Sequence, residues 1–199
     1  MLVLGSCRRS LVGRVLIGDD TRAALNGAPC AVAVAPAGYV HESQVIREIG
    51  VGYDGSPESE HAIELARELA HERGAKLSAF EAVSLPTTAF STGPLPLGET
   101  VDALVSDARD RIGALGGVEP HAAYGQPAEE LGVYSASLDL LIVGSRGYGP
   151  VGRLIHGNTS QQLARMARCP LLVLTRAARI AETPHMADDG HETAVAAKT

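Results

Sequence analysis

The sequence has 199 residues, of which 45% are hydrophobic and 20% are charged. This composition is typical of a folded protein, and the length corresponds to one or two domains. A net charge of −6 and few aromatic residues (5 Tyr, 2 Phe, no Trp) argue against a nucleic-acid partner. No apolar stretch approaches the roughly 20 residues that span a bilayer, so a membrane partner is not expected either.

The three cysteines, Cys7, Cys30 and Cys169, lie far apart and form no CxxC pair. An odd number of dispersed cysteines is typical of reduced thiols. The residues before Cys7 are too few for a lipoprotein signal, so we expect a cytoplasmic protein. Cys30 and Cys169 are predicted to be small buried residues, and Cys7, beside two arginines, to be the more reactive thiol.

The chain begins with a partial copy of its own later sequence, at a constant offset of 139 residues. The matching segments are Val3–Ser6 with Ile142–Ser145, Val12–Arg14 with Val151–Arg153, Gly18 with Gly157, and Cys30 with Cys169. Residues 1–36 are therefore predicted to be a β-α-β remnant that corresponds to the end of a complete domain. Residues 37–45 would be a linker, 46–176 the complete domain, and 177–199, which lack periodicity, a mobile tail.

Strands and helices alternate in the complete domain. A strand at Ile49–Tyr53 precedes a helix that Ser56 caps, Pro57 begins and Gly74 ends. The later strands are predicted at Lys76–Val83, Val118–Tyr124, Leu138–Val143 and Pro170–Leu174, and the later helices at 101–115, 127–136 and 159–168. This alternation predicts a doubly wound α/β fold with five parallel strands. The strand order that we expect is 3-2-1-4-5.

The glycine-rich segment after the fourth strand is the main candidate for a ligand site. Ligands of open α/β sheets lie beyond the carboxyl ends of the strands, and a helix N-terminus favours phosphate. Gly147-x-Gly149-x-x-Gly152 fits a dinucleotide fingerprint, but no acidic residue follows at the distance needed to hold a ribose. The segment also approaches a P-loop, but Arg153 and Leu154 stand where that motif has Lys and Ser or Thr.

A third pattern, Gly144-x-x-Gly147-x9-Gly157, resembles that of the universal stress protein family. Val51–Ser56 after the first strand and Arg168–Pro170 before the last strand add to the resemblance. It covers residues 46–175 as one complete domain and residues 1–35 as the end of another. In this family the motif G-x2-G-x9-G-[S/T] marks the members that bind ATP. Here the three glycines are kept, Asn158 replaces the Ser or Thr, and Thr159 and Ser160 follow.

The resemblance implies an ATP site, with or without Mg²⁺, at the carboxyl edge of the sheet. Gly52, Tyr53 and Asp54 would lie near the adenosine, with Asp54 accepting from the ribose hydroxyls, and Val83 would contact the adenine. The ribose and phosphates would be held by residues that flank the glycine loop, namely Val143, Gly144, Ser145, Arg146, Gly147, Gly157, Asn158, Thr159 and Ser160.

Two of these residues have a structural role as the alternative. Asp54 would then cap the first helix, and Arg146 would be a solvated loop residue. In the first copy, Arg8 replaces the equivalent of Gly147, and two carboxylates, Asp19 and Asp20, follow the matching glycine. That copy is expected not to bind phosphate. We interpret His156 as a surface residue, because no partner for catalysis is near it in the sequence.

We expect an ATP-binding stress-response or regulatory module that is not an enzyme, because the sequence shows no positioned nucleophile, general base or metal cluster. One alternative is a structural dimerisation module that binds no nucleotide, which Asn158 and the altered first copy favour. Another is a slow nucleotide hydrolase. Domains of this family associate through their last strands, which implies a homodimer or a pseudo-dimer in which Ala31–Ala35 pairs antiparallel with Leu171–Leu174.

Overall fold

The computed structural model describes residues 1–5, 21, 23–25, 28–36, 45–84, 97–144 and 159–174. The strands are β1 (Leu2–Gly5), β2 (Val32–Ala35), β3 (Glu48–Gly52), β4 (Lys76–Val83), β5 (Glu119–Tyr124), β6 (Leu140–Gly144) and β7 (Leu171–Leu174). The helices are α1 (Pro57–Arg73), α2 (Leu97–Gly113), α3 (Pro127–Tyr134) and α4 (Thr159–Met166). Residues 21 and 23–25, between β1 and β2, are also helical. Cys7, nearly all of the linker and the tail lie outside the described residues.

All seven strands belong to one sheet, in the order β1-β2-β7-β6-β3-β4-β5. The five strands of the complete domain follow the predicted order and are parallel to their neighbours. The sheet as a whole is larger than the five strands predicted for that domain, because β1 and β2 extend it. β3 lies between β4 and β6, with Ile49 opposite both Leu77 and Leu140. The connections diverge at β3, which places the ligand crevice of this fold at the carboxyl ends of β3 and β6.

The remnant joins the sheet through its second strand. β1 and β2 are parallel, with Val3 opposite Ala33. β2 and β7 are antiparallel, with Val32 opposite Val173 and Val34 opposite Leu171. The predicted pairing of the two copies through their last strands is therefore present within a single chain.

The sequence around α1 explains where this helix begins and ends. Ser56 is the N-cap, and its Oγ accepts a hydrogen bond from the Ser59 N–H at 3.2 Å. Pro57 occupies the start of the helix, where no backbone donor is needed. Gly74 ends the helix in the left-handed conformation, with a φ of 64° that suits glycine.

Helices cover both faces of the sheet. α1 and α2 bury the face that carries Ile49, Val51 and Ile142. The opposite face lies under α3 and α4, and its buried residues are Phe80, Leu141, Val143, Leu171 and Val173. Since strands of a doubly covered sheet are buried on both sides, β6 and β7 read as continuous apolar runs rather than as alternating patterns.

Three details differ from the sequence predictions. α2 begins at Leu97, before the predicted start at residue 101, and ends at Gly113. α3 ends at Tyr134 and continues as a short 3₁₀ helix, in which the buried Ser135 Oγ donates to the Gly132 carbonyl at 2.7 Å. Cys169 is buried as predicted, but Cys30 is only half-buried. Cys169 packs in a cluster that includes Leu131 of α3.

No helix in the described part of the chain is both long enough and apolar enough to cross a bilayer.

Candidate functional site

The structure describes eight of the predicted site residues: Gly52, Tyr53, Asp54, Val83, Val143, Gly144, Thr159 and Ser160. The others, Ser145, Arg146, Gly147, Gly157 and Asn158, lie outside the described residues, as do Arg8, Asp19, Asp20 and His156. The described residues therefore give the adenosine side of the predicted site and the start of α4, without the loop between β6 and α4.

Gly52, at the end of β3, lies directly opposite Val143 of β6 and Phe80 of β4. A Cβ at Gly52 would lie 3.0 Å from Val143 Cγ1 and 3.3 Å from Leu131 Cδ1. Only glycine fits this space without moving its neighbours. The register therefore brings Gly52 and Val143 together, and the Val143 and Leu131 side chains occupy the space that a Cβ at Gly52 would need.

Gly144, at the end of β6, lies against the first turn of α1. A Cβ at Gly144 would be 2.9 Å from Glu58 Cβ and 3.3 Å from the Glu58 carbonyl carbon. The glycine thus lets the strand end and the helix N-terminus come together at the carboxyl edge of the sheet. Glu58 was not singled out in the sequence, because a contact between segments so far apart leaves no local pattern.

Asp54 forms a tight turn that leads into α1. Its Oδ1 accepts hydrogen bonds from the Ser56 N–H at 3.0 Å and from the Ser56 hydroxyl. Its own N–H donates to Ser59 Oγ at 3.4 Å, and Gly55 follows with a φ of 73°. Asp54 therefore supports the turn around Ser56, which is the residue that caps α1. In the described part of the chain these hydrogen bonds use Oδ1 alone, and the residue is exposed.

Tyr53 contributes mainly its backbone to the edge. Its N–H donates to the Phe80 carbonyl at 2.9 Å, which extends the pairing of β3 with β4. Only 6% of the residue is exposed, and the ring packs with Ile49 and Val51 in the core under α1 and α2. Burial raises the pKa of the phenol, and the nearby carboxylates of Glu60 and Glu81 act in the same direction. The ring therefore has little surface left for an adenosine.

Val83 ends β4 and is buried against Ala108 and Ala122. Its carbonyl accepts a hydrogen bond from the Gly125 N–H at 3.0 Å. The structure thus gives Val83 a packing role, and its contact with an adenine stays a prediction.

Thr159 and Ser160 begin α4, which follows β6 and so starts at the same edge of the sheet. Thr159 is half-buried, and Ser160 is buried. Thr159 is the more accessible of the two hydroxyl groups.

An ion pair near this edge was missed by the sequence analysis. The Arg111 guanidinium donates to both carboxylate oxygens of Glu81, from Nε at 3.2 Å and from Nη2 at 2.8 Å. This hydrogen bonding raises the pKa of Arg111, and the Glu81 side chain is only 13% exposed. The pair ties α2 to β4 beside Tyr53. Its residues are 30 positions apart, so no helical spacing signalled it.

Within the described ranges, no three His, Cys, Asp or Glu side chains come close enough to hold a metal ion. An Mg²⁺ bound together with ATP would therefore depend on the nucleotide phosphates and on residues of the glycine loop.

Comparisons with known proteins agree with this architecture. A universal stress protein of Mycobacterium tuberculosis is 30% identical over 185 residues, which cover 87% of this chain and 61% of that protein. The chain therefore spans 61% of the length of this relative. A universal stress protein of Thermus aquaticus is 32% identical over 143 residues, which cover 65% of this chain and 99% of that protein.

Solved structures show the same fold. A universal stress protein from Archaeoglobus fulgidus superposes with a TM-score of 0.59 at 25% identity, over 87% of this chain and 61% of its own. UspA from Lactobacillus plantarum gives a TM-score of 0.53 at 22% identity, over 66% of this chain and 99% of its own. The sequence model of the universal stress protein family matches residues 46–175, which are most of the chain. The chain belongs to the universal stress protein family.

Proposed function

We propose that this protein is a stress-response module that binds ATP at the carboxyl edge formed by β3, β6 and the start of α4. The observation that carries the proposal is the convergence of Gly52, Gly144 and Asp54 at that edge. A Cβ at Gly144 would meet Glu58, so this glycine lets the ends of β6 and α1 come close together, and the exposed Asp54 follows Gly52 by two residues. A carboxylate at the carboxyl edge of the sheet can accept hydrogen bonds from the ribose hydroxyls of a nucleoside, and this edge is where α/β sheets bind their ligands.

The ribose and the phosphates each have a matching group in this proposal. The ribose would donate its hydroxyl hydrogens to Asp54 Oδ2, since Oδ1 is engaged with Ser56. The phosphates would lie toward Thr159 and the N-terminus of α4, whose free N–H groups and positive end favour anions. Gly147 and Gly157, which match the family motif, and Asn158, which stands at its Ser or Thr position, complete the phosphate side in this proposal.

We propose binding rather than turnover as the activity, in a cytoplasmic protein. The Tyr53 ring is buried and Asp54 is held in a turn, so neither is placed as a general base. A slow hydrolase predicts ADP after long incubation with ATP, and product analysis tests that alternative directly.

Asp54→Asn is the sharpest test of the binding site. The Asn oxygen can still accept from Ser56, so the turn and α1 are expected to form normally. The amide group would then replace Oδ2 and present a donor to the ribose hydroxyls. Hydrogen bonds to a charged group contribute about 1.5–3 kcal/mol, so we expect a loss of ATP affinity of about tenfold or more by calorimetry.

The matched control is Glu64→Gln, which removes a charge from an exposed site on α1. It should leave ATP affinity and melting temperature unchanged. If Asp54→Asn binds ATP as tightly as the parent protein, the ribose assignment is wrong.

A structural module without nucleotide is the second candidate, and the pairing of β2 with β7 favours it. This pairing shows that the remnant already serves to cover the edge of the complete domain. Calorimetry separates the two candidates, since a purely structural module releases no heat of binding at millimolar ATP.

A further inference from the structure

β1 ends the sheet in the described part of the chain, although its equivalent in the complete domain is an interior strand. At the offset of 139 residues, β1 corresponds to β6. β6 is flanked by β7 on one side and by β3 on the other. β1 is flanked by β2 alone, in the position that β7 takes for β6. One edge of β1 is therefore open where β6 has a parallel neighbour.

The side chain of Val3 is less buried than its equivalent in the complete domain. Its equivalent, Ile142, is fully buried in the cluster that contains Ala62 and Ala66 of α1. Val3 is 63% exposed. Two apolar residues at equivalent positions thus differ in burial because α1 covers only one of them.

Gly5 provides an independent observation. Its equivalent, Gly144, is required because a Cβ would meet Glu58 in the first turn of α1 at 2.9 Å. A Cβ at Gly5 would meet nothing within 4 Å. The first copy thus keeps a glycine at a position where nothing in its present surroundings requires one.

We propose that β1, Val3 and Gly5 form a docking surface for a β-strand and following helix of the kind that β3 and α1 provide. The strand would pair in parallel with the open edge of β1, and the helix would cover Val3 with its first turn against Gly5. The occupant is a polypeptide of this same family. The mycobacterial relative, of which this chain spans only 61%, has further sequence of its own. This inference does not depend on nucleotide binding.

The hydrogen-bond pattern identifies which amides would change. The Leu2 N–H donates to the Ala31 carbonyl at 2.9 Å, as the Leu141 N–H does to Pro170 at 3.0 Å. Since successive N–H groups of a strand point to opposite sides, those of Val3 and Gly5 point to the open edge. The exchange rates of these two N–H groups would report docking. The N–H groups of Leu2 and Leu4, which point toward β2, serve as internal controls.

The repeat also defines the test protein. Met1 corresponds to Leu140, so residues 45–139 placed directly before Met1 of the full chain supply the missing strands and helices in register. In this chimera we expect hydrogen exchange at Val3 and Gly5 to slow by about tenfold or more, to the rate of Leu2 and Leu4. Unchanged exchange at Val3 and Gly5 in a folded chimera would overturn the proposal.

Two substitutions sharpen the comparison. Val3→Asp and Gly5→Val should change the melting temperature of the parent chain little, since both positions are open there. In the chimera each substitution should lower the melting temperature by several degrees. Val3→Asp places a carboxylate under the added helix, and Gly5→Val fills the space that the first turn of this helix needs. Equal effects in parent and chimera would contradict the docking geometry.

A second arm covers the case in which the chimera does not fold. Tagged residues 45–139 are co-expressed with the full chain, and we expect co-purification that Val3→Asp abolishes. Failure of both arms overturns the proposal. So does a parent chain that is already a dimer with slow exchange at Val3 and Gly5, because a second copy would then occupy the surface.

Discussion

Ala33 and Leu172 lie directly opposite each other in the antiparallel pair of β2 and β7, and they are also equivalent positions of the internal repeat. The pair Val32–Val173 is related in the same way to the pair Leu171–Val34. A local twofold axis therefore passes between Ala33 and Leu172. Such pairing is self-complementary, as in a symmetric dimer, although both strands belong to one chain.

This geometry predicts that deletion of residues 1–39 changes the oligomeric state. Loss of β2 exposes the edge of β7, which is apolar and able to pair with its own copy in the same antiparallel register. We expect a lower melting temperature and a dimer by light scattering, whereas deletion of residues 177–199 should produce neither effect. A truncated chain that stays monomeric with the parent melting temperature would show that the remnant does not stabilise the domain.

Gly144→Ala and Gly5→Ala form a matched pair at equivalent positions. The first places a Cβ 2.9 Å from Glu58 Cβ, a clash that only a shift of α1 relieves. We expect a loss of about 1–3 kcal/mol in the free energy of unfolding. The second meets open space and should stay within about 0.5 kcal/mol. Urea denaturation measures both, and equal losses would contradict the close contact between β6 and α1.

Tyr134 makes stability depend on alkaline pH. Its ring stacks on Phe80 with centroids 4.9 Å apart, its hydroxyl is hydrogen-bonded to Ser78, and burial raises its pKa to about 12. The unfolded chain loses this proton near its ordinary pKa of 10.0, so the unfolded state binds fewer protons between the two values. Stability therefore falls as the pH rises from 10 toward 12, by about 2 kcal/mol in total.

Tyr134→Phe should be less stable at neutral pH, because Ser78 keeps only its 3.4 Å hydrogen bond to the Ile49 carbonyl, but its stability should fall less steeply above pH 10. Burial also raises the pKa of the Cys169 thiol to about 12, which gives a decline of the same sign that the variant keeps. Denaturant titrations at several alkaline pH values check the difference in slope. Parallel curves for parent and variant would show that Tyr134 does not titrate as described.

Ser135 links α3 to the segment before β7. Its fully buried hydroxyl donates to the Gly132 carbonyl and accepts from the Arg168 N–H at 2.9 Å. Ser135→Ala leaves that N–H without its acceptor, and we expect a loss of about 1–3 kcal/mol in urea denaturation. The exposed neighbour Ser137, whose hydroxyl donates to the Tyr134 carbonyl, serves as the control, and Ser137→Ala should have a much smaller effect. Similar losses in both variants would contradict the role of burial.

Local patterns in the sequence predict the elements well. Ser56, Pro57 and Gly74 mark the ends of α1 through capping chemistry, and the predicted bounds of β4 are those observed. The alternation of strands and helices predicts the parallel sheet, and the expected strand order of the complete domain is the one observed. Burial of the Tyr53 ring was not predicted, although Ile49, Val51 and Tyr53 alternate along one face of the sheet.

Contacts between distant segments are beyond such patterns. The approach of Glu58 to Gly144 and the pairing of Arg111 with Glu81 depend on how helices settle on the sheet. The exposure of Val3 depends on which neighbour is present, although its residue type is that of a core position. The same limit applies to the site, where motifs indicate the residues but not which atoms, such as the two oxygens of Asp54, are free for a ligand.

The number of ATP molecules bound per chain tests the proposed function most directly. Calorimetric titration of the nucleotide-free full chain should give one site, because the complete domain contains β3, β4 and β6. The described part of the first copy contains β1 and β2, and Arg8 stands where the complete domain has Gly147. Loss of that site in Gly147→Arg, which copies the first repeat, should leave the melting temperature unchanged. No binding at millimolar ATP, or two equal sites per chain, would contradict the assignment.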